Sequence, residues 1–486
     1  MSGALLVCGA TSGAGKSTIA SALCRSWSDA GRDVAPFKAQ NMSNHAAVTA
    51  DGGEIGRAQA MQALAARVAP DRRMNPILLK PSATHTSHLV VMGDEVSVTD
   101  AAGYGEVTRG LRDVVLDAFT SLRVEHDWVV AEGAGGAAEI NLLDRDLVNL
   151  PLAAAAGMPA IVVVDIDRGG AFAAAYGTWA LLPDHLRRQV RGFVFNQFRG
   201  DPSLLGPGHA ELTDRTGVPV LGVLPHLGHH PMLGLEDSLD LAATARPVSS
   251  SAPVRVAVVR LPHLANPSDF DPLVMEPSVS LRWATHPDDL EGADLVILPG
   301  SRTTVADLAW VRESGLADAV AGTDAVVLGI CAGYQMLGRW IDDPIESRAG
   351  RVAGLDLLDV QTTFARPKIV RRTGSGYEIR WGRPVTDEPW GPASEGSRRG
   401  SVHGTSVHGL FDDDDFRHSF LGEVARLRGR RHDPSPVPFD AVVDAHLDHL
   451  ATWLREHLDM AALDEIATSA LPAADAPGWV RPGRAR

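Results

Sequence analysis

The chain has 486 residues and a formal net charge of −15 at pH 7, and 45% of its residues are hydrophobic. This length predicts two or three compact units, and the acidic balance argues against a nucleic-acid partner, because a phosphate backbone needs a basic surface. No long apolar run without charge occurs in the sequence, so we expect no membrane span and no membrane partner. The first residues lead into an apolar strand without a signal peptide, which predicts a cytoplasmic protein that acts on small molecules.

The first motif is a glycine-rich stretch at residues 9–18, Gly-Ala-Thr-Ser-Gly-Ala-Gly-Lys-Ser-Thr, directly after the apolar run of residues 4–7. A strand, a glycine-rich turn and a helix that begins with lysine and serine form a phosphate cradle, or P-loop. The spacing from Gly9 to Gly15 is one residue longer than the usual pattern. A plain turn between two core elements is the alternative, but the strand, the glycines and the helix together favour a nucleotide site.

Each residue of this stretch has an expected role in binding ATP. The backbone N–H groups of Gly13 and Gly15 would point at the phosphates. Lys16 would reach the terminal phosphates, the Ser17 hydroxyl would bind Mg²⁺, and Thr18 would complete the ATP site at the start of the helix.

Apolar runs separated by helix-length segments follow the P-loop. We expect a helix over residues 17–30, and short buried strands at 34–37, 128–131, 160–164, 192–195 and 218–223. Strands that alternate with helices imply a mostly parallel sheet covered on both faces. The predicted fold class is therefore α/β, with a doubly wound parallel sheet in this unit.

A segment of small and polar residues punctuated by proline, residues 243–253, is the predicted linker. It divides an ATP-dependent unit, residues 1–242, from a second α/β unit, residues 254–470, in which the alternation of strands and helices restarts. Residues 471–486 are rich in Pro, Ala, Gly and Arg and are predicted to form a flexible tail.

Charged residues follow the predicted strands of the first unit, where the carboxyl ends of parallel strands form a ligand crevice. Lys38 would face the same phosphates as Lys16 and stabilise charge on a transferred phosphoryl group. Glu132, followed by glycines, would hold Mg²⁺ together with Ser17. A solvated lysine and a turn glutamate are the plainer alternatives. Further carboxylates at this edge, any of which could instead cap a helix, are Asp51, proposed as a third metal ligand, Asp165 and Asp167.

Asn196 closes another strand of the first unit. Its side-chain amide both donates and accepts hydrogen bonds, which suits the edge of adenine. The Asn-Lys-x-Asp pattern of guanine-specific proteins is absent, because Arg199 stands at its last position. ATP is therefore favoured over GTP.

The second unit contains a candidate nucleophile. Of the three cysteines, Cys8, Cys24 and Cys331, which are too few for a disulfide framework, Cys331 follows an apolar strand and begins a helix. A thiol at a helix N-terminus is favoured as thiolate, and it needs a base to attack an amide. His408, bracketed by glycine-containing turns, is the leading base and His403 is the competitor. A buried core cysteine is the plainer alternative.

Two backbone N–H groups are candidates for an oxyanion hole in the second unit. Gly300 ends an earlier strand, and Ala332 directly follows the cysteine. Gly329 and Gly333 flank the turn, which favours a sharp nucleophile elbow over an ordinary core position.

At this point both units resemble known families. Residues 9–17, Lys38 and residues 132–136 resemble dethiobiotin synthetase, and residues 329–335 with His408 resemble a class I glutamine amidotransferase. In this order the two look like the cobyric and cobyrinic acid amide synthases of cobalamin biosynthesis. The motifs that resemble the cobyric acid synthase branch of that family are residues 38–44, 53–59, 74–81, 165–170, 266–273 and 377–379.

The sequence departs from these families in two places. Arg380 and Trp381 stand where the family usually has His and Met, and Leu410 stands where many class I amidotransferases carry a triad glutamate. The resemblance therefore implies a Cys-His dyad. The group that orients His408 stays open, and the acidic run at residues 412–415 is interpreted as a solvated turn.

The resemblance implies an activity for the chain. Its substrate would be adenosylcobyrinic acid a,c-diamide, whose b, d, e and g carboxylates become amides in adenosylcobyric acid, with ATP, Mg²⁺ and glutamine. The close rival is a cobyrinic acid a,c-diamide synthase, which the motifs around Lys38 and Glu54 disfavour. A P-loop ATPase switch is the rival from another class, and the Cys331 and His408 pair argues against it.

Overall fold

The structure is a computed structural model that describes residues 2–81, 86–228, 254–374, 376–391, 394–469, 471–472 and 479. The predicted linker at residues 243–253 lies outside the described residues. Within the described ranges, no helix combines the length and the apolarity needed to cross a bilayer.

Residues before the linker form twelve strands and seven α-helices in the described part. Their bounds are β1 Gly3–Gly9, α1 Lys16–Asp29, β2 Val34–Phe37, β3 Gln40–Met42, β4 Ala46–Val48, β5 Glu54–Gly56, α2 Arg57–Ala65, β6 Ile77–Pro81, β7 Thr86–Val91, β8 Asp94–Asp100, α3 Ala101–Glu125, β9 Trp128–Glu132, α4 Leu150–Ala156, β10 Ala160–Asp165, α5 Ala171–Leu181, α6 Asp184–Arg187, β11 Val190–Phe198, α7 Gly206–Thr216 and β12 Val220–Pro225.

The main sheet of this unit has six strands in the order β12-β11-β10-β1-β9-β2, and every pair is parallel. Its central strands are continuous apolar runs, as expected where helices cover both faces of a sheet. The α/β doubly wound prediction is therefore confirmed. A small sheet in the order β3-β6-β7-β8 and the hairpin β4-β5 lie outside the main sheet.

Residues after the linker form eleven strands and seven α-helices in the described part. Their bounds are β13 Val254–Val259, α8 Asp271–Met275, β14 Val279–Ala284, β15 Leu295–Leu298, α9 Thr304–Glu313, α10 Leu316–Gly322, β16 Val326–Ile330, α11 Ala332–Leu337, β17 Trp340–Asp343, β18 Gly350–Ala353, β19 Val360–Thr373, β20 Gly376–Thr386, β21 Pro389–Trp390, β22 Gly396–Arg399, β23 Val402–Thr405, α12 Asp414–Leu427, α13 Phe439–His457 and α14 Met460–Thr468.

The second main sheet has the order β14-β13-β15-β16-β23-β22-β21. Its first five strands are parallel, and the last two are antiparallel at one edge. The loops after β15, β16 and β23 leave the same edge of the sheet. This edge brings together residues 299–302, Cys331 and His408, which are far apart in sequence.

A long hairpin, β19-β20, extends from the second unit to the first. Tyr377 and Ile379 of its second strand pack in one apolar cluster with Ala46, Leu78 and Val90 of the first unit. Because both units supply buried side chains to this cluster, the hairpin fixes the second unit against β4 and β6.

The two C-terminal helices pack against the first unit. Although α13 and α14 lie within residues 254–470, they cover the first sheet and pack against α1 and β1. Leu447, Leu450 and Leu454 are spaced for one helix face and are at most 1% exposed. The apolar side chains of α1 and of its sheet would otherwise face solvent. The helices α13 and α14 bury them in one apolar cluster.

The described residues of the predicted tail contact the first unit. The backbone N–H of Leu471 donates to the carbonyl of Gly157 at 3.2 Å. Trp479 is 6% exposed and belongs to the core of the first unit, with the guanidinium of Arg112 5.7 Å from its ring centre. Tail residues 473–478 and 480–486 lie outside the described residues.

The position of α13 predicts the effect of a core substitution. Leu450→Ala should lower the free energy of unfolding by about 2–5 kcal/mol, because removal of the buried methyl groups leaves a cavity between α13 and the first unit. Urea denaturation followed by tryptophan fluorescence measures this change. Leu427→Ala, at a leucine that is 46% exposed, is the control and should have little effect. Equal effects of the two substitutions would contradict the packing of α13.

Candidate active site

The glycine-rich stretch forms a P-loop between β1 and α1. Gly13 and Gly15 have φ values of 69° and 91°, the left-handed region in which glycine is favoured. The Lys16 ammonium donates to the carbonyls of Thr11 and Gly135, both at 3.1 Å. Thr18 lies in the first turn of α1. The loop thus places the N-terminus of α1 and the Lys16 ammonium at the carboxyl edge of the sheet.

Glu132, at the end of β9, joins the residues predicted to bind phosphate and metal. One carboxylate oxygen accepts from the Ser17 hydroxyl at 2.7 Å and from the Lys38 ammonium at 2.8 Å. The other accepts from the Gln62 amide of α2 at 2.5 Å. Glu132 and Lys38 are only 1% and 4% exposed. Ser17, Lys38 and Glu132 therefore meet as predicted, and Gln62 is an additional partner that the sequence analysis missed.

A cavity of about 450 Å³ lies beside this cluster, lined by the P-loop, Lys38, β3 and residues 132–135. Its size is within the usual range for small-molecule sites. The Ser17 hydroxyl and the Glu132 carboxylate are adjacent hard oxygen ligands of the kind that Mg²⁺ prefers. The chemistry of these groups therefore fits a nucleotide with a bound magnesium ion.

The Asn196 side chain contacts the P-loop and is not among the residues that line this cavity. Its amide nitrogen donates to the carbonyl of Ala14 at 2.9 Å, and it would lie 2.2 Å from a Cβ added to Gly15. Asn196 thus supports the P-loop from β11, which is two strands away from β1 in the sheet. The glycine at position 15 leaves room for this contact.

Asp51 is likewise not brought to the predicted metal site. It lies in the turn between β4 and β5, where its carboxylate pairs with the Nε of Arg72 at 2.8 Å and accepts from Thr49. Asp165 accepts from the backbone of Asp167 at 3.0 Å and pairs with Arg168. Asp51 and Asp165 are thus each paired with an arginine.

Cys331 lies on a sharp turn between β16 and α11. Its φ of 52° is in the left-handed region, which is strained for a residue with a side chain. The turn can form because its neighbours are small: a Cβ added to Gly333 would lie 1.9 Å from the carbonyl of Leu298. This geometry is that of a nucleophile elbow, as predicted.

His408 faces the cysteine and is held by Asp269. Its Nδ1 lies 2.7 Å from Asp269 Oδ2, and the other oxygen of Asp269 accepts from the Gly409 backbone at 3.0 Å. Tyr377 exchanges two backbone hydrogen bonds with His408 and stacks its ring at 5.4 Å. The expectation of a Cys-His dyad is therefore wrong: a carboxylate orients the imidazole, so the arrangement is a Cys-His-Asp triad.

Asp269 comes from a part of the chain that sequence reasoning did not connect to catalysis. It lies 139 residues before His408, in a short 3₁₀ turn, Pro267–Phe270, between β13 and α8. The signal was present, because residues 266–273 form one of the motifs that carry the family resemblance. The motif does not reveal which side chain reaches the histidine.

The acidic run at residues 412–415 is not a solvated turn as a whole. Asp412 is half-buried, and burial raises its pKa to about 6. Asp413 caps α12 by accepting from the Phe416 backbone at 2.9 Å, and Asp414 accepts from the Phe439 backbone at 3.0 Å. Only Asp415 is exposed.

His403, the competing base, lies on β23 among aromatic rings. Trp390 and Phe420 contact its ring at 4.7 and 5.6 Å between centroids, and burial lowers its pKa to about 4. It is not among the residues that line the cavity at Cys331. The geometry therefore favours His408.

The two predicted oxyanion groups lie on neighbouring loops. Among the described residues, the backbone N–H groups of Gly300 and Ala332 have no hydrogen-bond partner, while Gly333 donates to Pro299 at 3.1 Å and joins the loops. A Cβ added to Gly300 would lie 2.7 Å from Cε1 of His408. Glycine at position 300 thus allows the imidazole to approach the predicted oxyanion site.

Two family models match the chain: the CobQ/CobB/MinD/ParA nucleotide binding domain at residues 5–229, and the CobB/CobQ-like glutamine amidotransferase domain at residues 255–416. The cobyric acid synthase of Rhodococcus jostii (strain RHA1) is 47% identical, over 97% of this chain and 96% of its own. That of Mycobacterium sp. (strain KMS) is 48% identical over 95% of each chain. The chain belongs to the cobyric acid synthase family.

Membership of the cobyric acid synthase family confirms the coarse predictions. The chain is an enzyme, a glutamine-hydrolysing amide synthase of cobalamin biosynthesis. The nucleotide-binding model supports the use of ATP, and the family implies small-molecule substrates. The two models match the N-terminal and C-terminal α/β units, which confirms the predicted fold class.

In this member of the family, the cavity at Cys331 lies where the two units meet. It has a volume of about 50 Å³, and Asn44 and Lys80 of the first unit line it together with Cys331 and His408. Asn266, beside the triad aspartate, accepts from the Ala46 backbone at 2.9 Å. Both units therefore contribute residues to the wall of the cavity at Cys331.

The charge on His408 predicts how stability depends on pH. Burial lowers its pKa, but the negative charges of Asp269 and Cys331 outweigh burial and raise it from 6.5 to about 10. Because the folded protein binds this proton more tightly than the unfolded chain, the stabilisation is fully present below pH 6.5 and is lost as pH rises towards 10.

His408→Gln should therefore destabilise the protein most at pH 6 or below, and the difference from wild type should shrink steadily at higher pH. Chemical denaturation at a series of pH values measures it. A difference that grows above neutral pH would contradict the charged state of His408. His449→Gln, at an exposed histidine on α13, is the control and should show no such trend.

Proposed function

We propose that the chain converts the b, d, e and g carboxylates of adenosylcobyrinic acid a,c-diamide into amides, and so forms adenosylcobyric acid with ATP, Mg²⁺ and glutamine. The observation that carries this proposal is the presence of two assembled sites in one chain. One is the P-loop cluster on Glu132, and the other is the Cys331-His408-Asp269 triad.

The P-loop site fits activation of a carboxylate. A carboxylate is a poor acceptor of ammonia, and ATP supplies the phosphoryl group that turns it into an acyl phosphate. Lys16 and Lys38 would stabilise the negative charge of the transferred group. Ser17 and Glu132 would hold Mg²⁺, which adds positive charge at the phosphates. Asn196 keeps the loop in shape through Ala14.

The triad site fits release of ammonia from glutamine. The Cys331 thiolate would attack the side-chain amide carbon, and the Gly300 and Ala332 N–H groups would stabilise the oxyanion. His408, held by Asp269, would give a proton to the leaving ammonia. The glutamyl thioester that forms on Cys331 is then hydrolysed by water, which returns the free thiol.

One stretch of chain contributes residues to both cavities. Gln40, Asn41 and Met42 line the P-loop cavity, and Asn44, two residues further along, lines the Cys331 cavity. Residues 40–44 therefore form part of the wall of both cavities. We infer that ammonia crosses at this segment, which would shorten its exposure to solvent.

The test is mass spectrometry of corrin carboxylates incubated with the protein, ATP, Mg²⁺ and glutamine. Each conversion of an acid to an amide changes the mass by a fixed amount, so the final shift counts the carboxylates that react. Four conversions of the a,c-diamide would support the proposal. No shift of the a,c-diamide together with two conversions of unamidated cobyrinic acid would identify the rival diamide synthase, and no ATP-dependent shift of either corrin would overturn both.

A further inference from the structure

The cavity at Cys331 contains buried polar atoms without a hydrogen-bond partner among the described residues. They are three donors, Nε and Nη2 of Arg302 and Nε1 of Trp381, and two acceptors, Oδ1 of Asn44 and Oε1 of Gln335. Buried polar groups are normally paired, because an unpaired one costs free energy. A ligand that fills the cavity should therefore carry an anionic group for the arginine and N–H groups for the two oxygens.

Arg302 differs from the other cations that line the cavity. Lys80 and Lys368 both pair with Glu54, and Arg380 pairs with Glu378 at 2.8 Å. Arg302 is 6% exposed, yet two of its three guanidinium nitrogens have no partner in the described structure. It is therefore the cation best placed to receive an anion.

Glu346 holds the Arg302 side chain in one orientation. Nη1 of Arg302 donates to Glu346 Oε2 at 3.0 Å, and the other oxygen accepts from the Thr304 backbone at 3.0 Å. The edge formed by Nε and Nη2 stays open, and this edge binds a carboxylate through two parallel hydrogen bonds. The ion pair thus presents the anion-binding side of the guanidinium to the cavity.

Arg302 and Cys331 line the same cavity. It comes two residues after Gly300, whose N–H group faces the proposed site of the amide oxygen. A glutamine whose side-chain amide lies at Cys331 has its α-carboxylate only a few bonds away. We propose that Arg302 binds the α-carboxylate of glutamine and that Glu346 is a positioning residue for Arg302. This inference rests on the proposed use of glutamine.

The experiment compares glutamine with 4-aminobutanamide, which is glutamine without its α-carboxylate. Full-length protein is assayed for ammonia release with ATP, Mg²⁺ and the corrin substrate. Arg302→Met should raise the KM for glutamine about 10- to 100-fold with little change in kcat, because a charge-assisted contact to the bound substrate is lost. The same substitution should leave kcat/KM for 4-aminobutanamide nearly unchanged.

Further variants separate binding from a structural role. Glu346→Gln should raise the KM for glutamine less than Arg302→Met does, and Arg302→Lys should recover part of the loss. Arg339→Met, at a half-exposed arginine paired with Asp359, is the matched control and should behave as wild type. An unchanged KM for glutamine, or equal losses with the two amides, would overturn the proposal.

Amidation driven by ammonium salts is measured on the same samples. It should be normal in every variant, since Arg302 is remote from the P-loop cluster in the contacts described. If Arg302→Met does not fold, the KM of the Arg302→Lys variant decides, because lysine keeps the charge but loses the paired donors. A wild-type protein that uses neither glutamine nor ammonia would instead refute the proposed function itself.

Discussion

Cys331→Ser should abolish amidation driven by glutamine and leave amidation driven by ammonium salts. Loss of the thiolate should lower glutamine hydrolysis by at least about 10³-fold, because the hydroxyl of serine is a much weaker nucleophile at neutral pH. The P-loop cluster on Glu132 makes no contact with the thiol, so carboxylate activation should continue. Corrin amidation by mass spectrometry, with each nitrogen source in turn, measures both activities.

Lys16→Ala is the complementary change and should remove amidation with either nitrogen source. It takes away the cation that the P-loop directs at the phosphates, while the triad keeps its geometry. Cys24→Ala is the control for loss of a cysteine, since Cys24 is buried in α1 and lines neither cavity. Equal loss of both activities in the Cys331 variant would argue against two separable sites.

Asp269→Asn should lower glutamine hydrolysis on the order of 10³-fold while the protein remains folded. The carboxylate accepts the Nδ1–H of His408 and stabilises the imidazolium that forms when the thiol is deprotonated. An amide can present its N–H to Nδ1 instead and so favour the wrong tautomer. Ammonia release from glutamine measures the effect, and ammonium-driven amidation shows that the other site is intact.

The control for Asp269→Asn is Asp415→Asn. Asp415 belongs to the acidic run after His408 but is exposed, and we expect its substitution to leave hydrolysis unchanged. If the two variants lose activity to the same extent, the carboxylate acts through general charge and not through its contact with His408. A near-normal Asp269→Asn enzyme would restore the dyad that the sequence had suggested.

A buried group of ion pairs lies at the junction of the two units. Glu54 is 1% exposed and pairs with Lys80 of the first unit and with Lys368 of the hairpin in the second, the latter at 2.8 Å. A buried carboxylate between two ammonium groups is costly if one partner is removed. The pair of lysines therefore ties the hairpin, and with it the wall of the Cys331 cavity, to the nucleotide-binding unit.

The sequence by itself determined the parts of this protein that are local. The P-loop, the nucleophile elbow and the alternation of strands and helices are each set by neighbouring residues, through glycine at the strained turns and apolar runs in the strands. Lys38 and Glu132 could also be placed, because both follow strands and the carboxyl ends of parallel strands meet at one edge. Rules that apply to single strands, turns and helices were therefore sufficient to predict where these residues lie.

Only the tertiary structure decided which distant groups pair. Asp269 reaches His408 across 139 residues, and Arg302 is left with open donors in a cavity that both units line. Asn196 contacts the P-loop at Ala14, and Asp51, which was predicted as a metal ligand, pairs with Arg72. The helix α13 covers the first sheet although it follows the second. These contacts form because the folded chain brings together side chains that are far apart in sequence. No local sequence pattern predicts such contacts.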